Sequence, residues 1–290
     1  MIMRESTYQW SPDSDLALRI TKSSIGTFKW CKKQFEFQYI HRLPQETKDY
    51  HIRGINVHDA WEYWNNNINP VLDESKQLLL KGENDKAFDL LWSCMPTPEE
   101  EYQYGEEEQL EQLVRWEMGR LLHTDTDDFL PIANEFKLEV EVEVLGYPIV
   151  MKGIMDRVYR MEDGTSMLME LKTGKWKPNK RGHMAGELAV YKYMVEASDD
   201  PAHDFLKPIT YYGYRFPGGG INNGDGAHWN FGEFRRSKRA MERVPEDMET
   251  IVKTYLDMSF DPLPQGQRWK CQWCEYTAYC PAWTDVDDET

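Results

Sequence analysis

The chain has no uninterrupted apolar stretch approaching the roughly 18 residues that a membrane helix needs, and its opening residues, MIMRESTYQW, carry no secretory apolar region. A cytoplasmic protein without a membrane partner is the expectation. Positive charge is also scarce: 34 Lys and Arg stand against 50 Asp and Glu, a formal net charge of −16. Taken alone, that balance argues against a surface that holds nucleic acid through overall charge. Cysteine is sparse, five in 290 residues, and a reducing compartment disfavours pairing those five as disulfides. There is no internal repeat and no long linker. What is present suffices for folding, since 40% hydrophobic residues over 290 positions can bury the core of one large domain or two small ones.

The charge is unevenly spread. Between Thr97 and Glu117 stand eight acidic residues and one basic residue, Arg115, whereas the segment from Lys172 to Arg181 holds five basic side chains and no acidic one. Solvated surface is the ordinary reading of such runs. The alternative is a locally positive cleft on an acidic body.

Three of the cysteines crowd the C-terminal end, as Cys271-Gln-Trp-Cys274 followed by Cys280. A CxxC step lets two thiolates grip one metal centre, and Cys280 lies within reach of the same centre. Cys31, at the start of an aromatic-rich segment, is the better fourth ligand. Cys94, in a Trp-Ser-Cys-Met setting, reads as a small buried hydrophobe. By spacing alone, zinc and an iron–sulfur cluster remain equally open. Either would tie the two ends of the chain together.

The periodicity predicts a helix starting near Ser23 or Ser24 and running toward Tyr39, a second from Ile55 to Asn66, and mostly helical structure from Ser75 to His123. Alternation then predicts strands over Phe136–Val144, Tyr147–Tyr159 and Ser166–Lys172. A helix over Met184–Val195, an aromatic strand over Ile209–Phe216, a Gly/Asn loop at 218–224 and a helix near Pro245–Met258 complete the order. This is an α/β fold, a mixed sheet flanked by helices with a helical insertion. We divide it into N-terminal helices (18–66), an acidic helical insertion (67–130), a sheet core (131–217) and a C-terminal helix with the cysteine triad (245–283).

The chemically informative segment runs from Gly153-Ile-Met-Asp156-Arg157 to Glu170-Leu-Lys172-Thr-Gly174. If Glu162-Asp163-Gly164 forms the hairpin loop, with Gly164 left-handed, Met161 pairs with Thr165, Asp156 lies opposite Glu170, and Ile154 lies opposite Lys172. Two carboxylates about 5 Å apart repel each other unless a divalent cation joins them. Mg²⁺ or Mn²⁺ suits such oxygen ligands, and Lys172 stands beside them. A structural Asp/Glu/Lys salt-bridge network is the plainer alternative.

These residues resemble the PD-(D/E)XK nucleases, specifically the RecB-like and CRISPR-associated exonuclease group. The likeness rests on Gly-x-x-Asp-Arg followed by Glu-x-Lys-Thr-Gly, on Ser23-Ser24-Ile25…Phe28…Cys31…Phe35…Tyr39, on Gly54-Ile-Asn-Val-His58, and on the C-terminal cysteine triad. It implies a restriction-endonuclease-like sheet and metal held by His58, Asp156, Glu170 and the Leu171 backbone carbonyl, with Lys172 assisting the nucleophilic water. It also implies a [4Fe-4S] cluster on Cys31, Cys271, Cys274 and Cys280, which lowers the standing of zinc. Where the group carries Gln-x-x-x-Tyr, this chain has Glu187 and Tyr191, and the carboxylate puts an amide-like DNA contact in doubt. Lys175, Lys177, Lys180 and Arg181 are candidates to track a DNA backbone, and Trp61, Trp64, Trp176, Tyr191 and Tyr193 to stack on unpaired bases. The function so implied is a metal-dependent DNA exonuclease acting 5′-to-3′ on single-stranded or end-containing DNA, in recombination, repair or phage-type DNA processing. The alternatives are a non-catalytic DNA-binding or scaffold protein and a zinc-stapled structural protein.

Overall fold

Two short strands that the residue pattern did not reveal come first: β1 (Ser6–Thr7) and β2 (Ala17–Thr21). The computed structural model describes residues 4–98, 101–177, 181–219, 227–231 and 235–284. Thr21 ends β2 in an extended conformation and caps helix α1 (Lys22–Trp30), accepting from the Ser24 amide while the Ser24 hydroxyl accepts from Thr21 N–H. The cap is therefore Thr21, and Ser24 is its third-position partner. The expected continuous helix to Tyr39 is broken at Cys31, which is extended (φ −161°, ψ 120°) between α1 and α2 (Lys32–Phe35), before a wide helical turn over Glu36–Ile40. The break sets Cys31 at a helix junction rather than on a continuous helical face.

Four helices follow: α3 (Asp49–Asn67), α4 (Leu72–Leu80), α5 (Asn84–Trp92) and α6 (Glu106–Leu121). They close over a second core containing Trp61, Trp64, Leu91 and Leu113. The acidic run is not all solvated. Glu117 is fully buried, bonding Arg120 at 2.7 Å and Arg215 more closely still. Glu106, also fully buried, accepts from Asn56 Nδ2 at 2.9 Å and from the Tyr104 amide at 2.7 Å. These two carboxylates anchor α6 to its neighbours. Burial holds the Arg215 guanidinium down to about 10.

The sheet is built on the long hairpin of β3 (Ala133–Val144) and β4 (Tyr147–Arg160), turned by Leu145 and Gly146, both at positive φ (53° and 81°) as a tight primed turn requires. β3 pairs along one edge of β4. The other edge is shared. β2 runs parallel to β4 over Ile149–Lys152, and β5 (Ser166–Leu171) runs antiparallel to it over Arg157–Arg160. β2 and β5 thus point head-on toward the short stretch between Lys152 and Arg157, where neither pairs. β6 (Ile209–Phe216) continues parallel to β5, and β7 (Ala227–Phe231), missed in the residue pattern, pairs antiparallel with β6. The sheet is mixed, as expected. The Gly/Asn loop falls from Gly220 onward outside the described residues.

Helix α7 (Arg181–Ala197) and helix α8 (Arg235–Asp257) pack together on this sheet, and α8 begins ten residues before its expected start at Pro245. The C-terminal segment ends with α9 (Pro281–Thr284). Gly153 lets α7 approach: a Cβ there would lie 2.6 Å from the Tyr191 ring. Gly153→Ala is therefore expected to cost about 1–3 kcal/mol and lower Tm by several degrees in calorimetry. Gly26→Ala in α1, where nothing lies within 4 Å of the new Cβ, should leave Tm unchanged or raise it. Equal Tm values for the two variants would show that the Tyr191 contact yields freely.

Candidate functional site

The hairpin that ends at Thr165 has the expected register. Met161 N–H donates to Thr165 at 2.8 Å, Gly164 is left-handed (φ 79°), and pairing proceeds through Arg157 opposite Met169. Beyond that pair the strands part. Asp156 Oδ2 accepts the Leu171 amide at 2.7 Å, so a side chain takes the place of the next backbone bond. Lys172 turns away and bonds the Arg215 carbonyl of β6 at 2.9 Å, so the expected pairing of Ile154 with Lys172 does not form. Asp156 and Glu170, both buried, stand at the head-on junction of β2 and β5.

Two further groups face Asp156. On β3, Asn134 pairs with Arg157 and Phe136 with Met155, so Glu135 comes opposite Asp156 on the adjoining strand, in a left-handed backbone (φ 45°) rare for a glutamate. His58, on α3, brings Nδ1 to 3.3 Å from Glu135 Oε1 and 3.8 Å from Asp156 Oδ2. His58, Glu135 and Asp156 are the one group among the described residues with three potential ligand atoms within 4.8 Å of one another. Glu135 was absent from the residue-level candidates. Its signal was available, because counting back from the Leu145-Gly146 turn sets it across from Asp156.

Two lysines close the site. Lys22, the first residue after β2, reaches Glu170 Oε2 at 2.6 Å and lies 4.7 Å from the Tyr191 ring centroid. Lys172 lies 3.7 Å from the same oxygen and 3.4 Å from Glu187. Burial and the Glu170 charge push Asp156 up to about 6, against the opposing pull of His58 and Lys22. For His58, burial disfavours the charged ring, but the bond to Glu135 and the charge of Asp156 outweigh it and raise its pKa. The Lys22 ammonium is likewise buried, yet Glu170, Glu187 and Asp156 hold it charged. Glu170 Oε1 is buried without a hydrogen-bond partner. An orphaned carboxylate oxygen on a residue that lines the same cleft as Asp156 and His58 fits a hard divalent cation.

The site opens into a cleft of about 870 Å³. Arg19 and Lys137 line it besides the two lysines, as do Lys152 and Glu139, which pair with each other at 3.0 Å, so basic side chains ring the acidic centre without outnumbering it widely. Glu187 and the Leu171 backbone also border it. Tyr191 borders it too but is 3% exposed, with its hydroxyl bonded to the Ile154 carbonyl. Lys175 and Lys177 are exposed just beyond Gly174, while Lys180 and the Arg181 side chain lie outside the described residues. Trp61, Trp64 and Trp176 are buried and belong to the core; none presents a face for base stacking.

Cys31, Cys271, Cys274 and Cys280 line one apolar cavity with Phe37 and Leu263, and Cys94 sits apart at the end of α5. Burial, reinforced by the neighbouring thiols, pushes Cys271 and Cys274 up. None of the four sulfurs joins a group of three ligand atoms within 4.8 Å. A single tetrahedral zinc, with Zn–S of about 2.3 Å, needs sulfurs closer than that.

A family model for the PD-(D/E)XK nuclease superfamily matches residues 19–281. No curated protein matches the chain. Among solved structures, one described as the crystal structure of SSO0001 aligns at 12% identity and a TM-score of 0.41, covering 91% of this chain and 86% of that one. So low a similarity carries no argument. No described helix is long and apolar enough to cross a membrane.

Because Asp156 is raised to about 6, its contribution to stability is full below its ordinary pKa and is lost as pH rises through about 6. In chelator at pH 8, Asp156→Asn should therefore be the more stable protein by denaturant titration, on the order of 1–3 kcal/mol. The gap should close toward pH 4. Added Mn²⁺ should stabilise the wild type alone. Equal stability of the two proteins at pH 8 would contradict the buried-charge assignment.

Proposed function

The chain belongs to the PD-(D/E)XK nuclease superfamily, and from that footing we propose that it is a metal-dependent deoxyribonuclease of the RecB-like branch. The observation that carries the reading is the junction itself. Asp156, Glu170, Glu135 and His58 converge there with two lysines, and one buried Glu170 oxygen has no partner.

Asp156, Glu170, His58 and the Leu171 carbonyl would hold Mg²⁺ or Mn²⁺. A bound divalent cation supplies Lewis acidity, offsetting charge on the scissile phosphate and making water a better nucleophile. Glu135 meets the same His58 nitrogen, Nδ1, that faces Asp156, so it would stand as a further carboxylate beside the cation rather than as a support behind the imidazole. Lys172 projects at the cleft edge, where it orients the attacking water and offsets charge developing on the phosphate oxygens. Lys22 offsets the charge of Glu170 through the same oxygen, Oε2, that Lys172 approaches. Arg19 and Lys137 guide the DNA backbone into the cleft by charge.

In the same proposal, Cys31, Cys271, Cys274 and Cys280 hold a [4Fe-4S] cluster that fastens the C-terminal segment to the α1–α2 junction. The cavity that the four cysteines share is what supports a common centre, and the choice of a cluster over zinc rests on the resemblance. Exonuclease action on single-stranded or end-containing DNA with 5′-to-3′ polarity, and a place in recombination, repair or phage-type processing, follow from the resemblance to the RecB-like group.

With end-labelled single- and double-stranded DNA and Mn²⁺, the wild type should release products from the 5′ end, and a Glu170→Ala, Lys172→Ala double variant should be slower by at least about a hundredfold. Cleavage at the wild-type rate by that variant would remove the proposed site. Iron and sulfide content should fall on Cys31→Ser and be unchanged on Cys94→Ser; the reverse pattern would dismiss the cluster.

A further inference from the structure

Most of the large side chains of this protein are hidden, including Trp61 and Trp64 at 0% exposure. Against that background the cysteine-bearing end is unusual. Trp269 and Trp273, on the tight helical turns over Gln265–Trp273, are 58% and 62% exposed, and Trp30, the last residue of α1, is 37% exposed. Their rings run in a row, with centroids 6.3 Å apart from Trp30 to Trp269 and 5.7 Å from Trp269 to Trp273, and none is stacked flat on another. Lys270 sits within the row, its ammonium 4.9 Å from the Trp30 ring and 6.0 Å from the Trp269 ring. A contiguous exposed aromatic strip of this kind costs solubility and marks a binding surface.

The row is connected to the metal cleft. Trp30 also lines a groove of about 260 Å³ between α1, α7 and α8, whose walls include Lys29 and Arg243. Lys22 and Glu187 line both this groove and the cleft. A path therefore runs from the exposed indoles, past Lys270, Lys29 and Arg243, to Glu170. Asp247 in the groove is already paired with Lys29 at 2.7 Å.

We propose that this path is a binding track for single-stranded nucleic acid, in which Trp30, Trp269 and Trp273 receive unpaired bases while Lys270 and Arg243 follow the phosphates. Duplex DNA keeps its bases stacked on each other and cannot offer them to indoles, so the row selects an unpaired strand. A protein partner would account for the aromatics but leaves Lys270 within their row, and the groove that leads from Trp30 past Arg243 to the cleft, without a role. The inference rests on the cleft being a phosphodiesterase site, and it replaces Trp61, Trp64 and Trp176 as the stacking residues.

The test uses the full chain in chelator, with a labelled single-stranded oligonucleotide and the matching duplex followed by anisotropy. A Trp269→Ala, Trp273→Ala variant should bind the single strand at least about tenfold more weakly, with duplex binding little changed. Trp269→Phe, Trp273→Phe should retain most of the affinity, and Lys270→Glu should lose part of it. Thermal unfolding and iron content serve as the check that each variant is folded. Unchanged single-strand affinity in the alanine variant would overturn the proposal and assign the row to a protein partner or a second copy of the chain. Equal loss on both DNA forms would overturn it as well. Metal-dependent cleavage of a small phosphodiester by the wild type reports on the cleft separately. Indole-dependent binding without cleavage would sink the nuclease reading alone, and cleavage with unaltered binding by the variants would sink this one alone.

Discussion

The site depends on one topological constraint, the head-on meeting of β2 and β5 on a single edge of β4. Each strand ends where the other ends, so the stretch from Gly153 to Asp156 loses its edge partners, and the residues that leave both strands are delivered to one place. Lys22 follows β2 and Lys172 follows β5; both reach Glu170 Oε2. On the opposite edge, β3 sets Glu135 across from Asp156, where like charges are destabilising unless something positive lies between them. His58 and Lys22 partly fill that role. The raised Asp156 pKa is the remaining cost of keeping these carboxylates together.

The helical layer makes the arrangement rigid. α6 reaches the sheet through the buried Glu117–Arg215 pair and reaches the end of β5 through Gln109, whose amide donates to the Thr173 carbonyl at 3.1 Å. A buried pair of this kind is costly to break, by about 3–5 kcal/mol if one partner is removed. His58 rides on α3 of the same layer, so its distance from Asp156 is set by packing around Trp61 and Trp64. From the other side, Tyr191 seats α7 against β4 through the space left by Gly153, and bonds Ile154 within the stretch that has a strand partner on the β3 edge alone. Gly-x-x-Asp-Arg thus combines a packing requirement, a buried carboxylate and a buried cation, Arg157, over the Trp61 ring.

Legibility in the sequence tracks distance along the chain. The turn at Gly164 fixes the register of Asp156 near Glu170, and counting residues recovers it. The same procedure on the Leu145-Gly146 turn would have reached Glu135, whose left-handed backbone no propensity signals. β2 and Lys22 were out of reach, because β2 is five residues long and its partner strand is well over a hundred residues away. The acidic run misled in part, since charge composition does not reveal that Glu106 and Glu117 are buried. Aromatic residues were legible as a class but not by location: Trp61, Trp64 and Trp176 near the motifs pack the core, whereas Trp30, Trp269 and Trp273 near the cysteines face solvent.

The central claim is that the strand junction is a divalent-cation site. Its most direct test is anomalous diffraction at the manganese edge from crystals of the protein grown with Mn²⁺. The expected result is a peak bonded to Asp156, Glu170 and His58 and bordered by Glu135 and the Leu171 carbonyl. Manganese bound elsewhere, or an empty junction in crystals of protein that cleaves DNA under the same conditions, would contradict it.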